Sequence, residues 1–197
     1  METLMVRANH DRATLQQPSF ELLQEHRQFE IRHYPPAAAV RIVESNGRSA
    51  ATRSGFNALY SYITGNNEDR HHYDMTAPVL QRACDSNKVS PRSGATSDLV
   101  DGDWEMFFFL PDGVDAAFAA EPINTRIEAT TLGERKVAVR SFSGRWSDEN
   151  FADEAMHLLA SLTEHGFTTT GPVSFAFYDA PSVLPAKRYN EVQIEVE

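Results

Sequence analysis

One cysteine, Cys84, stands in 197 residues, so no intrachain disulfide can form and no thiolate pair exists for a zinc site. That usage fits a reducing compartment, and a cytoplasmic location is the expectation. Basic residues are also scarce: 18 Lys and Arg stand against 28 Asp and Glu, a formal net charge of −10. Nucleic acids and anionic membrane surfaces are bound through clustered cations, so both are disfavoured as partners. No apolar run approaches the roughly 18 residues that mark a membrane span. The opening METLMVRANHDR lacks the apolar core of a signal peptide. The motifs G-x-S-x-G, G-x-G-x-x-G and H-E-x-x-H are missing, as is a P-loop, and with them go the usual hydrolase, dinucleotide-binding and zincin readings. The acidic residues are scattered and single out no catalytic carboxylate pair.

What remains is an ordinary globular composition, 41% hydrophobic and 10% aromatic, in a length that suits one domain with a real core. Residues 1–18 are polar and irregular and read as a flexible N-terminal arm, followed by a single domain over 19–197. From Phe29 the pattern alternates, with Phe29, Ile31 and His33 on one strand face and Glu30, Arg32 and Tyr34 on the other. Pro35-Pro36 breaks the ladder, and Ala37 to Val43 resumes it. Arg48 to Thr64 reads as a helix whose core stripe is Thr52, Phe56, Leu59 and Ile63, flanked by an amphipathic stripe of Arg53, Asn57 and Tyr60. Gly65 and Asn66-Asn67 stop it. Met75 to Gln81 reads as a strand, Cys84 to Gly102 as a loop or long hairpin connection, and Trp104 to Leu110 as a strong strand closed by Pro111-Asp112-Gly113.

The second half repeats that order. Strand-like Thr125 to Ala129 and Lys136 to Phe142 precede a helix with Ser147 as N-cap, Asp148 and Glu149 in its first turn, and Phe151, Ala155, Leu158, Leu159 and Leu162 as its apolar stripe. Gly166 ends it, and Val173 to Tyr178 and Glu191 to Val196 finish as strands. The strand after each helix opens alike, Thr76-Ala77-Pro78-Val79 against Thr170-Gly171-Pro172-Val173. The match and the element order point to an internal duplication in an α+β fold.

Five segments in order carry a family resemblance: FEIRHYPP (29–36), GFNALYSYITGNN (55–67), MTAPV (75–79), VAVRSFSG (137–144) and RYNEV (188–192). Together they resemble the SOUL haem-binding protein family, over about residues 20 to 197. The resemblance implies a distorted antiparallel β-barrel flanked by two helices, with a pseudo-twofold strand-helix-strand-strand repeat. It also implies haem or a related tetrapyrrole as cofactor, held in an apolar cleft beside the first helix, in a carrier, buffer or sensor that is a monomer or weak dimer. Carried over, the cleft residues are Arg53, Phe56, Asn57, Tyr60 and Ser61, with the segment from Tyr178 to Pro185 opposite. Porphyrin faces want aromatic walls, and propionates want a cation such as Arg53, Lys187 or Arg188. Members that carry Met or Lys on this helix differ from the present chain. The alternative is an enzyme that opens the bound haem oxidatively or removes its iron.

Two histidines are candidate iron ligands. His33 sits where some members of the family carry a histidine. His72 belongs to a pair, His71-His72, where the family usually has none. Consecutive side chains of an extended segment point to opposite faces, so the pair does not suit a shared metal. His157 and His165 read as structural or solvated, and Cys84 as incidental.

Overall fold

The structure, a computed structural model, describes residues 15–45, 47–84 and 102–197. In chain order its elements are β1 (Glu21–Glu25), β2 (Glu30–Tyr34), β3 (Ala37–Glu44), α1 (Arg48–Ile63), β4 (Val79–Ala83), β5 (Trp104–Phe109), β6 (Ile127–Leu132), β7 (Arg135–Phe142), α2 (Asp148–Glu164), β8 (Thr169–Phe177) and β9 (Asn190–Val196). The strands make one antiparallel sheet in the order β1-β2-β7-β9-β8-β4-β5-β3-β6. Pro35-Pro36 joins β2 to β3 and Gly133-Glu134 joins β6 to β7, yet each connector links strands near opposite ends of that order. So short a link cannot span a flat sheet of this width. The sheet therefore curls until its edges approach, which gives an α+β distorted barrel that stays unclosed.

From β2 to β6 the order is a palindrome about the β8–β4 pair. The βαββ unit of β3, α1, β4 and β5 maps onto that of β7, α2, β8 and β9. The register agrees with the sequence match. Val79 lies opposite Phe177, and the same register extends to place Ala83 opposite Val173, so a twofold through the Gln81–Phe175 pair relates Val79 to Val173 as the sequence match requires. Each repeat also has a leader strand, and the leaders are exchanged: β2 pairs with β7 of the second repeat, and β6 with β3 of the first.

Both helices cover the convex face. Phe151, Ala155, Leu158 and Leu162 of α2 pack on Ile31, Ala138, Phe175, Val192 and Ile194. Against α1 lie Val40, Ile42, Met106 and Phe108. The α1 interface keeps Leu59 and Ile63 of the stripe read from the sequence but is centred away from Thr52 and Phe56. Ala51, Gly55, Leu59 and Tyr62 are buried, whereas Thr52 and Phe56 are only half-buried. Gly55 is the reason: a Cβ there would lie 3.3 Å from Ile42 Cγ2 and Met106 Sδ. Its absence lets the helix sink onto the sheet and turns Phe56 out to the flank. Elsewhere β4 begins at Val79 rather than Met75, because Pro78 has no N–H for the ladder. β6 runs from Ile127 to Leu132 and β8 opens at Thr169, and β1 adds an edge strand the sequence pattern did not mark. Of the N-terminal arm, Gln16 is tied down: its carbonyl accepts from Ala77 N at 2.9 Å and its Oε1 from Asp112 N at 3.2 Å. The rest of the arm before Leu15, and most of the connection after Cys84, lie outside the described residues. No helix among the described residues is long and apolar enough to cross a membrane.

The two helix starts meet at the symmetry axis. Arg48, the first residue of α1, is 1% exposed and pairs with Asp148, the first residue of α2, at 2.6 Å. Its Nη2 also donates to the Trp146 carbonyl at 3.0 Å, its own carbonyl accepts from Gln81 Nε2 at 2.8 Å, and its guanidinium lies 4.5 Å over the Phe151 ring. The concave face is mixed by contrast, with an apolar cluster of Leu80, Phe107, Phe109 and Leu132 beside a buried polar network. There the Glu191 carboxylate accepts from Arg32 Nη1 and Tyr189 Oη on Oε1 and from Tyr178 Oη and Gln193 Nε2 on Oε2, all at 2.8 Å. Arg32 also donates to Glu30 at 2.8 Å and to Tyr34 Oη at 3.1 Å. Burial opposes the Arg32 charge, and Glu191 together with Tyr34, Tyr178 and Glu30 more than offsets it, so the guanidinium is held above its ordinary value.

Two measurements check these linkages. Asp148→Ala strands a buried guanidinium and should lower stability by about 1–3 kcal/mol in urea unfolding, less than a fully buried pair would because Asp148 is partly exposed. In the concave face, burial and the Glu191 charge push Tyr34 up to about 12. A tyrosine raised above its unfolded value near 10 contributes stability that is complete below pH 10 and lost as pH climbs toward 12. Urea midpoints should therefore fall through that window, more steeply in the wild type than in Tyr34→Phe.

Candidate functional site

Turning Phe56 outward creates the feature that most resembles a ligand platform. Phe56 and Tyr60, one helical turn apart, stack with centroids 5.8 Å apart and planes 10° from parallel. Phe108 meets Phe56 from below at 5.2 Å, edge to face, while Tyr60 is 49% exposed. An aromatic surface left uncovered on a helix is the informative kind of exposure. Arg53 and Asn57 are exposed on the same flank, Ser61 is half-buried beside Tyr60, and Arg53 forms no ion pair with any described residue. Five of the six residues expected to bind the cofactor are thus gathered on one helix.

The sixth is elsewhere. Tyr178 follows β8 onto the concave face, packs with Leu80, Phe107, Phe109 and Ala176, and donates to Glu191. Burial, and then the Glu191 charge, push its phenol well above the usual range. The segment after it folds on Arg188, which donates to the carbonyls of Val183 at 2.9 Å and Pro181 at 2.6 Å and lies 4.3 Å over Trp146. Arg188 is therefore occupied in shaping its own loop, while Lys187 is exposed.

The two candidate histidines have different settings. His33 sits at the end of β2 between carboxylates, with Nε2 2.7 Å from Glu134 and Nδ1 3.9 Å from Glu21. His72 lies at the C-terminal end of α1. That end is a Schellman motif, in which Gly65 N donates to Tyr62 O and Asn66 N to Ser61 O. Asn67 then fixes the return, donating to the carbonyls of Tyr62 and His71 and accepting from His71 N. His72 thereby pairs as a β-bridge with Thr64, whose hydroxyl bonds back to Tyr60 O at 2.8 Å. The His72 ring rests on Gly65, where a Cβ would come within 2.8 Å of Nε2. His71 instead turns its ring edge onto Tyr73, 4.5 Å away. Among the described residues no three His, Cys, Asp or Glu side chains converge as a metal cluster. Cys84 is half-buried, and burial with Glu105 and Asp103 nearby raises its thiol, away from reactivity.

Sequence reasoning missed a cleft of about 750 Å³ between the β1–β2 turn, β7 and α2. Its lining is polar or charged apart from Phe29 and Val139, a poor match to an apolar ring system. No short motif announces it, because its walls come from three separate parts of the chain.

Comparison with known proteins places the chain. The profile of the family described as SOUL heme-binding protein matches residues 15–195. Heme-binding protein 2 of Homo sapiens is 33% identical over 167 residues, which cover 83% of this chain and 76% of that protein. Its Mus musculus counterpart is 31% identical over 166 residues, with the same coverage of 83% and 76%. Among solved structures, the EcmrR C-terminal domain superposes with a TM-score of 0.65 over 86% of this chain and 97% of that one, at 12% identity. That last likeness concerns the fold alone.

Gly65 holds a φ of +100° and leaves room for the His72 ring. Gly65→Ala should cost about 1–2 kcal/mol of stability in urea unfolding and displace the His72 imidazole signals in NMR spectra while leaving those of His33 in place.

Proposed function

The chain belongs to the SOUL haem-binding protein family, and from that premise we infer that it binds haem, or a closely related tetrapyrrole, on the exposed flank of α1. The observation that carries this reading is the Phe56–Tyr60 stack. A tetrapyrrole is a flat apolar disc with carboxylates on one edge, and two near-parallel rings braced by Phe108 offer it a flat apolar seat. Arg53, one turn before Phe56, is the cation for a propionate. Asn57 and Ser61 supply polar groups at the margin. Tyr178, held in the Glu191 network, stands outside this seat.

His72 is the axial ligand we favour over His33. It lies at the end of the flank that runs from Arg53 through Asn57 and Tyr60 to Thr64, about 16 Å along the helix at 1.5 Å per residue. His33 is engaged by Glu134. The His72 imidazole would hold the iron at an exposed flank of the helix, a setting that suits a carrier or buffer. Oxidative ring opening or iron removal is the enzymatic alternative, and the same preparation separates the two.

Haemin titration should give a saturable Soret shift. Phe56→Ala with Tyr60→Ala should weaken it about tenfold or more, the equivalent of about 1.4 kcal/mol. His72→Ala should change the Soret position and His33→Ala should not. Absence of saturable binding, or wild-type affinity in the Phe56/Tyr60 double variant, overturns the assignment. With a reductant and oxygen supplied, persistent haem bands support the carrier, and conversion to a bilin or free porphyrin supports the enzyme.

A further inference from the structure

The aromatic flank of α1 overlooks the gap between the two helices. Thr52, one turn before Phe56, donates through Oγ1 to Gln81 Oε1 of β4 at 3.3 Å. The floor of the gap follows from the register. Phe108, Val79, Phe177 and Asn190 form one cross-strand row over β5, β4, β8 and β9. Phe56 stands on Phe108 at one side of that row. Trp146 stands on the other, its ring 5.3 Å from Phe177 and its Nε1 donating to Asn190 Oδ1 at 2.7 Å. Val79 lies between them. It packs against both helix clusters and is still partly exposed, although β4 is an inner strand of the sheet. Strands β5 and β8 are two inter-strand steps apart, about 10 Å. A flat ring touched on both faces needs walls about 7 Å apart, so the interval has room for one aromatic disc above Val79.

Trp146 is held in place from several directions. Its carbonyl accepts from Arg48 at 3.0 Å, the Arg188 guanidinium lies 4.3 Å over its ring, and Asn190 takes its indole N–H. The last contact is made at a penalty. An indole N–H can only donate, so the Asn190 amide must turn its oxygen toward Trp146. Asn190 Nδ2 is then left as the one buried side-chain polar atom among the described residues with no partner. Such an orphan is destabilising, and an apolar side chain would avoid it. The bond that the amide does make fixes the Trp146 ring. Position, rather than stability, is what Asn190 supplies.

We propose that Trp146 is the second wall of the tetrapyrrole seat and that Asn190 is the residue that positions it. The macrocycle is gripped between the Phe56–Tyr60 stack and the indole rather than laid on α1 alone. This inference rests on the haem reading above and adds to it a wall from outside α1. The loop that Arg188 ties to Trp146 contributes Leu184, an apolar side chain left 65% exposed. Arg48 closes the slot at the helix starts, bonded to Trp146 on one side and to Asp148 on the other. Because these walls hold the ring and not the iron, the slot takes metal-free protoporphyrin as well as haem.

Separate titrations of the full chain with haemin and metal-free protoporphyrin IX test this. Trp146→Ala should weaken both about tenfold, whereas His72→Ala should weaken haemin alone. Asn190→Leu removes the orphaned amide together with the indole anchor. Its affinity should fall about threefold or more while its urea midpoint stays at or above the wild-type value, a split that a merely structural asparagine would not give. With zinc protoporphyrin IX bound, the ring current should move the indole N–H signal of Trp146 and leave that of Trp104, fully buried in the core, in place. Wild-type affinity in Trp146→Ala, or an unmoved Trp146 signal, overturns the second wall while the Phe56/Tyr60 variant still reports on the α1 seat. Unchanged affinity in Asn190→Leu overturns the positioning role. Absence of any saturable binding by the wild type overturns the haem reading and this wall with it.

Discussion

Two connectors of two residues each, Pro35-Pro36 and Gly133-Glu134, govern the architecture. Each must join strands near opposite ends of the sheet order, and only a strongly curled sheet allows that. Curling makes the two faces unequal. The convex side is broad enough for two helices and takes the two larger apolar clusters. The concave side is crowded and narrow, holds two smaller apolar clusters, and tolerates buried charge because Glu191 is saturated by donors and Arg32 is matched to it.

This division explains where uncovered aromatic surface lies. The concave interior is occupied by its own side chains, and the exposed rings stand instead on the outer flank of α1. That flank is an apolar ledge made by a helix that sits too close to the sheet to cover its own aromatics.

Much of the fold was legible in the sequence. Both helices, their glycine stops, the Ser147 cap and the duplication could be read because each leaves a local signature in periodicity or turn chemistry. The match of Thr76–Val79 to Thr170–Val173 even marked the register of the symmetry axis. Other features left none. The α1 interface is centred on Ala51 and Gly55, whose contribution is closeness rather than hydrophobicity, so the apolar pattern pointed to Phe56 and rotated the helix too far. Arg32 and Glu191 are 159 positions apart, and nothing in either local stretch names the other. For the candidate site, family likeness names the helix residues, and they share one flank of α1, whereas Tyr178 is drawn to the far side of the sheet by the alternation of β8.

The exchange of leader strands has a consequence for how the molecule can come apart. Each repeat lends its first strand to the other, as in a dimer that traded arms before its two genes were fused. A cut between β5 and β6 would therefore leave two fragments, each missing the outer neighbour of its own β3 or β7 and each carrying an orphan edge. The chain is one cooperative unit despite its twofold plan, and most of its pairing must wait for residues made late in synthesis. Loss of order at either end of the sheet is transmitted to both halves at once.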